Sequence, residues 1–278
     1  MDPARPPLNR LVLSAGSVAD DVGFVALRDL GRVVAGNNYR IIGGHMVMML
    51  VARWALGPDL YRQTQDTDLG VPPTAVANPV IIDRLTALGY ERRAGNRFAR
   101  PMSDVPVRLV GADAPKPEAV VDILVPSYTS RLRQNRRFGD HLVTTEVPGL
   151  ASALQNPAIE MSLELHRLNG DLLHAEVSGA DEVSALVLKA HATAVRSKAT
   201  DVVDIWRCLE VCLAAGTDPA QFTGPERVAA VTRVRELFGS RSGAGMTSLI
   251  NEQRLTPRAA DERYTRIRAL IDRIVAWK

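Results

Sequence analysis

Cysteine is nearly absent. The 278 residues include two, Cys208 and Cys212, four apart in one expected helix. That is too few for a disulfide framework, and both sulfurs suit a helix core. No apolar run reaches the length that spans a bilayer. The stretch Met1-Asp2-Pro3-Ala4-Arg5-Pro6-Pro7 lacks the apolar centre of a signal peptide. These absences predict a cytoplasmic protein with no membrane partner. Charge of one sign is not in excess either: 34 basic residues stand against 31 acidic ones, a net charge of +3. Basic residues gather locally instead, at Arg92, Arg93, Arg97 and Arg100 and again at Arg131, Arg133, Arg136 and Arg137. Either cluster is a solvated face or a surface for phosphate. Internal repeats and low-complexity tracts are missing.

An ordinary share of apolar residues, 46%, over this length allows a sizeable core in one domain with an appendage, or in two. Residues 1–16 read as a loose arm. A helix is expected over 17–35, a strand over 38–42, a Met-rich helix over 45–56 and a strand over 66–71. A helix over 77–88 precedes strands at 97–100, 105–111 and 119–125, the last two joined as a hairpin through 112–118. Residues 131–139 read as basic and weakly structured. A strand over 141–147 and a short helix over 149–155 follow. Asn169-Gly170 then turns a hairpin between 160–167 and 171–178. From 181 onward the pattern is helical, in segments 181–196, 199–215, 224–239, 243–252 and 256–277. The expected fold is α+β, a mixed sheet with flanking helices over 17–180 and a helical C-terminal bundle over 181–278.

Four constellations carry chemistry. An apolar strand ends in Gly43-Gly44, and a helix begins at once. Glycines there let a phosphate approach backbone N–H groups at a helix N-terminus. Asp66 and Asp68 lie two apart on a strand and share a face. Converging carboxylates repel unless a cation lies between them, and hard oxygen ligands suit Mg²⁺ or Mn²⁺. Asp122 shares a strand face with Val120 and Leu124, which is costly for a carboxylate without a partner. A metal shared with Asp66 and Asp68 supplies one reason, and an edge strand facing solvent is the other.

Lys189 is the one charged side chain between Glu182 and Arg196. It is either a snorkelling lysine or a cation reaching a triphosphate. In Arg196-Ser197-Lys198-Ala199-Thr200-Asp201-Val202-Val203-Asp204, Asp201 suits a helix N-terminus. Asp204 lies deeper, placed to pair with Lys189 or Lys198 and hold that cation.

In this order, Ile42-Gly43-Gly44, Thr64-x-Asp66-x-Asp68, Val121-Asp122-Ile123, Leu188-Lys189-Ala190 and Arg196-x-Lys198-x-x-Asp201-x-x-Asp204 resemble the AbiEii-type nucleotidyltransferases. These are toxins of toxin–antitoxin and phage-defence systems and include the mycobacterial MenT toxins. The resemblance spans roughly 38–210. It implies a DNA polymerase β-like nucleotidyltransferase core and a helical C-terminal part that contributes Lys189 and Asp204 to the site. Asp66 and Asp68 match the metal-binding pair. Lys189 and Asp204 match the later Lys and Asp, with Asp201 beside them. Gly43 and Gly44 match the glycine signature, although serine is common at the second position and its hydroxyl is missing here. Asp122 is added by analogy with the third carboxylate of the wider superfamily. Gly43, Gly44, Lys189 and Lys198 are the expected nucleotide contacts. The implied activity is transfer of nucleotides from NTP to the 3′ end of tRNA, with a cognate antitoxin as partner. A protein or small-molecule acceptor, and an inactive RNA- or partner-binding relative, are the competing readings.

Overall fold

The structure is a computed structural model describing residues 7–106, 109, 116–129, 133–195 and 198–275. Alternation builds its first strand. In β1 (Arg10–Ser14), Leu11 and Leu13 are buried while Arg10, Val12 and Ser14 are exposed. Residues 10–14 therefore join the sheet, against the expectation of a loose arm. The prolines and arginines before them conceal the period-2 pattern of Leu11 and Leu13.

Helix α1 (Val18–Val33) starts where the Ser17 hydroxyl accepts from the Asp20 amide, and Asp20 and Asp21 complement its dipole. Its Phe24, Leu27 and Leu30 are buried. Strand β2 (Arg40–Ile42) runs directly into α2 (Gly43–Arg53), and β3 (Asp66–Gly70) follows. Next come α3 (Val80–Ala87), β4 (Glu91–Arg92), β5 (Arg97–Pro101) and β6 (Glu118–Pro126). Of the strand expected over 105–111, Val105 and Pro106 lie outside any strand and Leu109 is helical. The rest of that segment, and 112–115 of the expected hairpin, fall outside the described residues. β6 pairs antiparallel with β5 instead.

Residues expected to be weakly structured form β7 (Arg133–Phe138), a fully exposed strand up to Arg137 that pairs antiparallel with β8 (Leu142–Val147). After α4 (Leu150–Gln155), β9 (Ile159–His166) and β10 (Leu172–Gly179) form the expected hairpin. The strand order is β1-β9-β10-β2-β3-β6-β5-β4, with β8 beside the end of β6. Pairings of both senses occur, so the sheet is mixed.

Helices α5 (Glu182–Val195), α6 (Ala199–Ala214), α7 (Pro225–Phe238), α8 (Ala244–Gln253) and α9 (Pro257–Ile274) complete the α+β fold. Two apolar clusters hold it together. One lies between the sheet and α1, where Ala119, Val121, Ile123 and Val125 of β6 are buried. The other is centred on the C-terminal helices, with Leu186, Ile205, Cys208, Leu209 and Cys212. Helix α2 belongs to both: Met48 and Met49 enter the first, Met46, Val47 and Leu50 the second. The methionines are core filler, as expected. No described helix is long and apolar enough to cross a membrane.

Candidate active site

Strand register assembles the site. Ile42 pairs with Asp68, Asp68 with Asp122, and Asp122 with Arg97. Side chains in register on neighbouring strands stand on one face, with strands about 4.8 Å apart. Asp68 and Asp122 are thus adjacent, and Asp66 lies two residues along the same face of β3. This face looks into a cavity of about 460 Å³ that Asp68, Asp122, Arg97, Gly43 and Lys189 help to line. Ile42, Leu124, Pro148 and Leu188 supply apolar wall, and Gln134 and Thr145 polar wall.

Gly43 begins α2 at this wall with φ +72°, and a Cβ there would collide with the Asp68 carboxylate. The glycine is required by backbone conformation and by the approach of Asp68 together. Gly44 is different. It is buried, and a Cβ on it would meet the Arg62 guanidinium and the Thr64 hydroxyl.

His45 ties α2 to the carboxylate strand. It is fully buried, its Nδ1–H donates to the Asp66 carbonyl at 3.1 Å, and Thr67 Oγ1 lies 3.3 Å away. Burial, opposed by the Asp66 hydrogen bond and reinforced by the Arg62 charge, lowers its pKa to about 4. His45 is therefore neutral and positions Asp66 through its backbone. In the sequence His45 is marked only as the first residue of the helix expected over 45–56.

The partner of Asp122 is an arginine. Arg97 Nε lies 3.1 Å from Asp122 Oδ1, and its Nη2 lies 2.8 Å from Asp122 Oδ2 and 2.6 Å from Asp66 Oδ2. The hydrogen bond to Asp122, working against burial and helped by the Asp122 and Asp66 charges, raises the Arg97 pKa. Asp122, expected either beside a shared metal or at an edge facing solvent, meets this guanidinium. The donor chemistry of Asp66, Asp68 and Asp122 suits a hard divalent cation. Among the described residues no group of three such ligands is placed to hold an ion by the chain alone; Mg²⁺ takes one or two carboxylates and completes its shell with phosphate oxygens and water. The sequence showed each residue but not their register, because Arg97 and Asp122 are 25 positions apart.

On the opposite wall, the Lys189 ammonium lies 3.1 Å from Asp201 Oδ1 and 2.7 Å from Asp204 Oδ2. Asp204 also meets Arg62 Nε at 3.2 Å and Arg207 Nη1 at 3.0 Å. Arg207 in turn donates to the carbonyls of Leu60 and Tyr61. Burial disfavours the charged lysine, but the Asp204 and Asp201 carboxylates outweigh it, so the Lys189 pKa is raised. The expected partnership of Asp204 with a lysine is present, and Lys189 is that lysine. Lys198 stands exposed just before α6 and is not among the cavity-lining residues. Arg62 and Arg207 had no sequence signal.

The chain matches no protein-family model and no curated protein. Among solved structures, the crystal structure of an antigenic nucleotidyltransferase-like protein from Paracoccidioides brasiliensis is similar over 91% of this chain and 94% of that one, at 17% identity and a TM-score of 0.38. A likeness of that strength says nothing about the chemistry of this chain.

Proposed function

We propose that the chain is a nucleotidyltransferase of the AbiEii and MenT kind, transferring nucleotides from NTP to the 3′ end of tRNA and so blocking translation. The observation that carries this reading is the carboxylate row Asp68–Asp122, with Asp66 beside it, facing Lys189 across a cavity that also holds the Gly43 turn. In the transfer, the acceptor hydroxyl oxygen bonds to the α-phosphorus, the bond to pyrophosphate breaks, and a carboxylate of the row takes the hydroxyl proton. Asp68 and Asp122, with Asp66 beside them, would hold Mg²⁺ or Mn²⁺ together with phosphate oxygens of the NTP, and the ion when bound supplies neutralisation of phosphate charge. Backbone N–H groups at the start of α2 favour the anionic triphosphate. Lys189 adds positive charge at the opposite wall, with Asp204 and Asp201 setting its position.

The acceptor reading draws support from β7. Arg133, Arg136 and Arg137 are exposed on it, and Gln134 between them lines the cavity. A polyanion lying on this strand would have its end near the carboxylates. A cognate antitoxin is the partner this reading requires.

Incubation with each α-labelled NTP and total tRNA tests the proposal. Label should enter tRNA at its 3′ end, and Asp68→Asn should abolish it. Label confined to protein or to a small molecule would move the acceptor to another class. No transfer to any acceptor would leave an inactive binding relative.

A further inference from the structure

Arg97 is the one residue of the carboxylate row that the proposed chemistry leaves without a task. Its guanidinium reaches both Asp66 and Asp122 from the neighbouring strand, at 2.6 and 2.8 Å. The contacts are forked on Asp122, through both Nε and Nη2. Three carboxylates on one sheet face need positive charge nearby, and here it is supplied from within the chain. The arrangement is also exchangeable: the Arg97 and Asp66 side chains are 42% and 41% exposed. The half-exposed pair with Asp66 contributes little to stability and parts at little cost, while the forked contact on Asp122, whose side chain is 14% exposed, is the firmer of the two.

Resting on the nucleotidyltransferase reading of the same site, we propose that Arg97 is a built-in counter-cation that competes with a divalent metal ion for Asp66 and Asp122. Both claim the same carboxylate oxygens, and one excludes the other. The free protein consequently binds divalent cations weakly. An incoming triphosphate changes this, because it offers the guanidinium another anion to pair with. Metal and nucleotide then favour each other's binding through Arg97, reciprocally. The apo site is protected from holding a metal without its substrate.

Mn²⁺ titration of the full chain without nucleotide, read by the electron paramagnetic resonance of free Mn²⁺, tests this without any activity assay. Arg97→Gln should bind Mn²⁺ at least tenfold more tightly than the native chain. Arg97→Lys keeps the charge but loses the fork, and should fall between them. Thermal melting of each variant establishes that it is folded. Should Arg97→Gln not fold, the ranking of native chain against Arg97→Lys decides. Equal Mn²⁺ affinity in native chain and variants overturns the competition, and so does weaker binding by the variants, which would make Arg97 an organiser of the carboxylates. If affinities are equal while labelled nucleotide still transfers, only this inference falls. If Arg97→Gln tightens Mn²⁺ binding while no acceptor is labelled, the competition stands and the transferase reading falls.

Discussion

Two sets of charges face each other across the cavity, built from the same residue types with opposite consequences. On the sheet side, Arg97 holds Asp66 and Asp122, whose side chains are 41% and 14% exposed. On the helix side, Lys189 and Asp204 are 4% and 0% exposed. A guanidinium at the water's edge can change partners. An ammonium sealed among Asp201, Asp204, Arg62 and Arg207 cannot, because any rearrangement leaves a bare charge in the interior. The difference teaches that a pair of unlike charges is exchangeable or structural according to its burial, with the helix side serving as the fixed wall against which the sheet side works.

The sharpest way to break this comparison is to remove one carboxylate from each set. Asp204→Ala leaves Lys189, Arg62 and Arg207 short of negative charge in the interior and should cost about 3–5 kcal/mol. Asp66→Asn on the sheet side, where the side chain is 41% exposed, should cost under about 1 kcal/mol, as for exposed pairs. Chemical denaturation of both variants measures this, and comparable losses would dissolve the distinction.

Next in size is Gly43, where sheet and helix α2 meet. Gly43→Ala adds a Cβ at φ +72° against the Asp68 carboxylate, an expected loss of about 1–3 kcal/mol. Gly36→Ala imposes a similar φ of +80° with nothing within 4 Å of the new Cβ, so it isolates the conformational part, about 1 kcal/mol. Nucleotide transfer should fall in the first variant and persist in the second. Equal behaviour would mean that the approach of Asp68 to Gly43 has no bearing on the site.

The smallest effect concerns His191 on the helix wall. Burial lowers its pKa below 6.5, opposed by its hydrogen bond to the Glu226 carbonyl and by the Glu226 charge. A lowered histidine pKa means that the unfolded chain takes up its proton first as pH falls, so this contribution is held at neutral pH and lost below about 6.5. In His191→Gln, stability should decline less between pH 6.5 and 5 than in the native chain. An unchanged slope would show that His191 is not part of the acid limb.

Much of the helix wall was legible beforehand. A lone charge in an apolar segment and acids one turn apart on the next helix pointed to Lys189, Asp201 and Asp204, because helical spacing is local. The sheet wall was legible in its parts: the Gly43 turn, the shared face of Asp66 and Asp68, and Asp122 among apolar neighbours. The relation among those parts was not. Arg97 came into view as a member of a basic cluster, and nothing near it in the chain marked Asp122 as its neighbour. His45 and Arg62 carry no local mark for the same reason, since their partners lie on other elements. Residues 10–14 alternate, but prolines and arginines precede them and their partner strand lies about 150 positions away; residues 133–138 pair with the next strand, yet Arg-Gln-Asn-Arg-Arg-Phe carries no apolar alternation to mark them.

By itself the sequence determined the order and type of most elements, the face each carboxylate occupies, and the isolation of Lys189 within an apolar helix. These follow from periods of two and 3.6 residues, which a few neighbouring positions suffice to set. Only the tertiary structure decided which cation meets which anion. That choice depends on strand register and on burial, and both are properties of segments brought together from across the chain. It placed Arg97 at the solvent edge, on Asp66 and the more buried Asp122, and Lys189 on Asp201 and Asp204 in the interior.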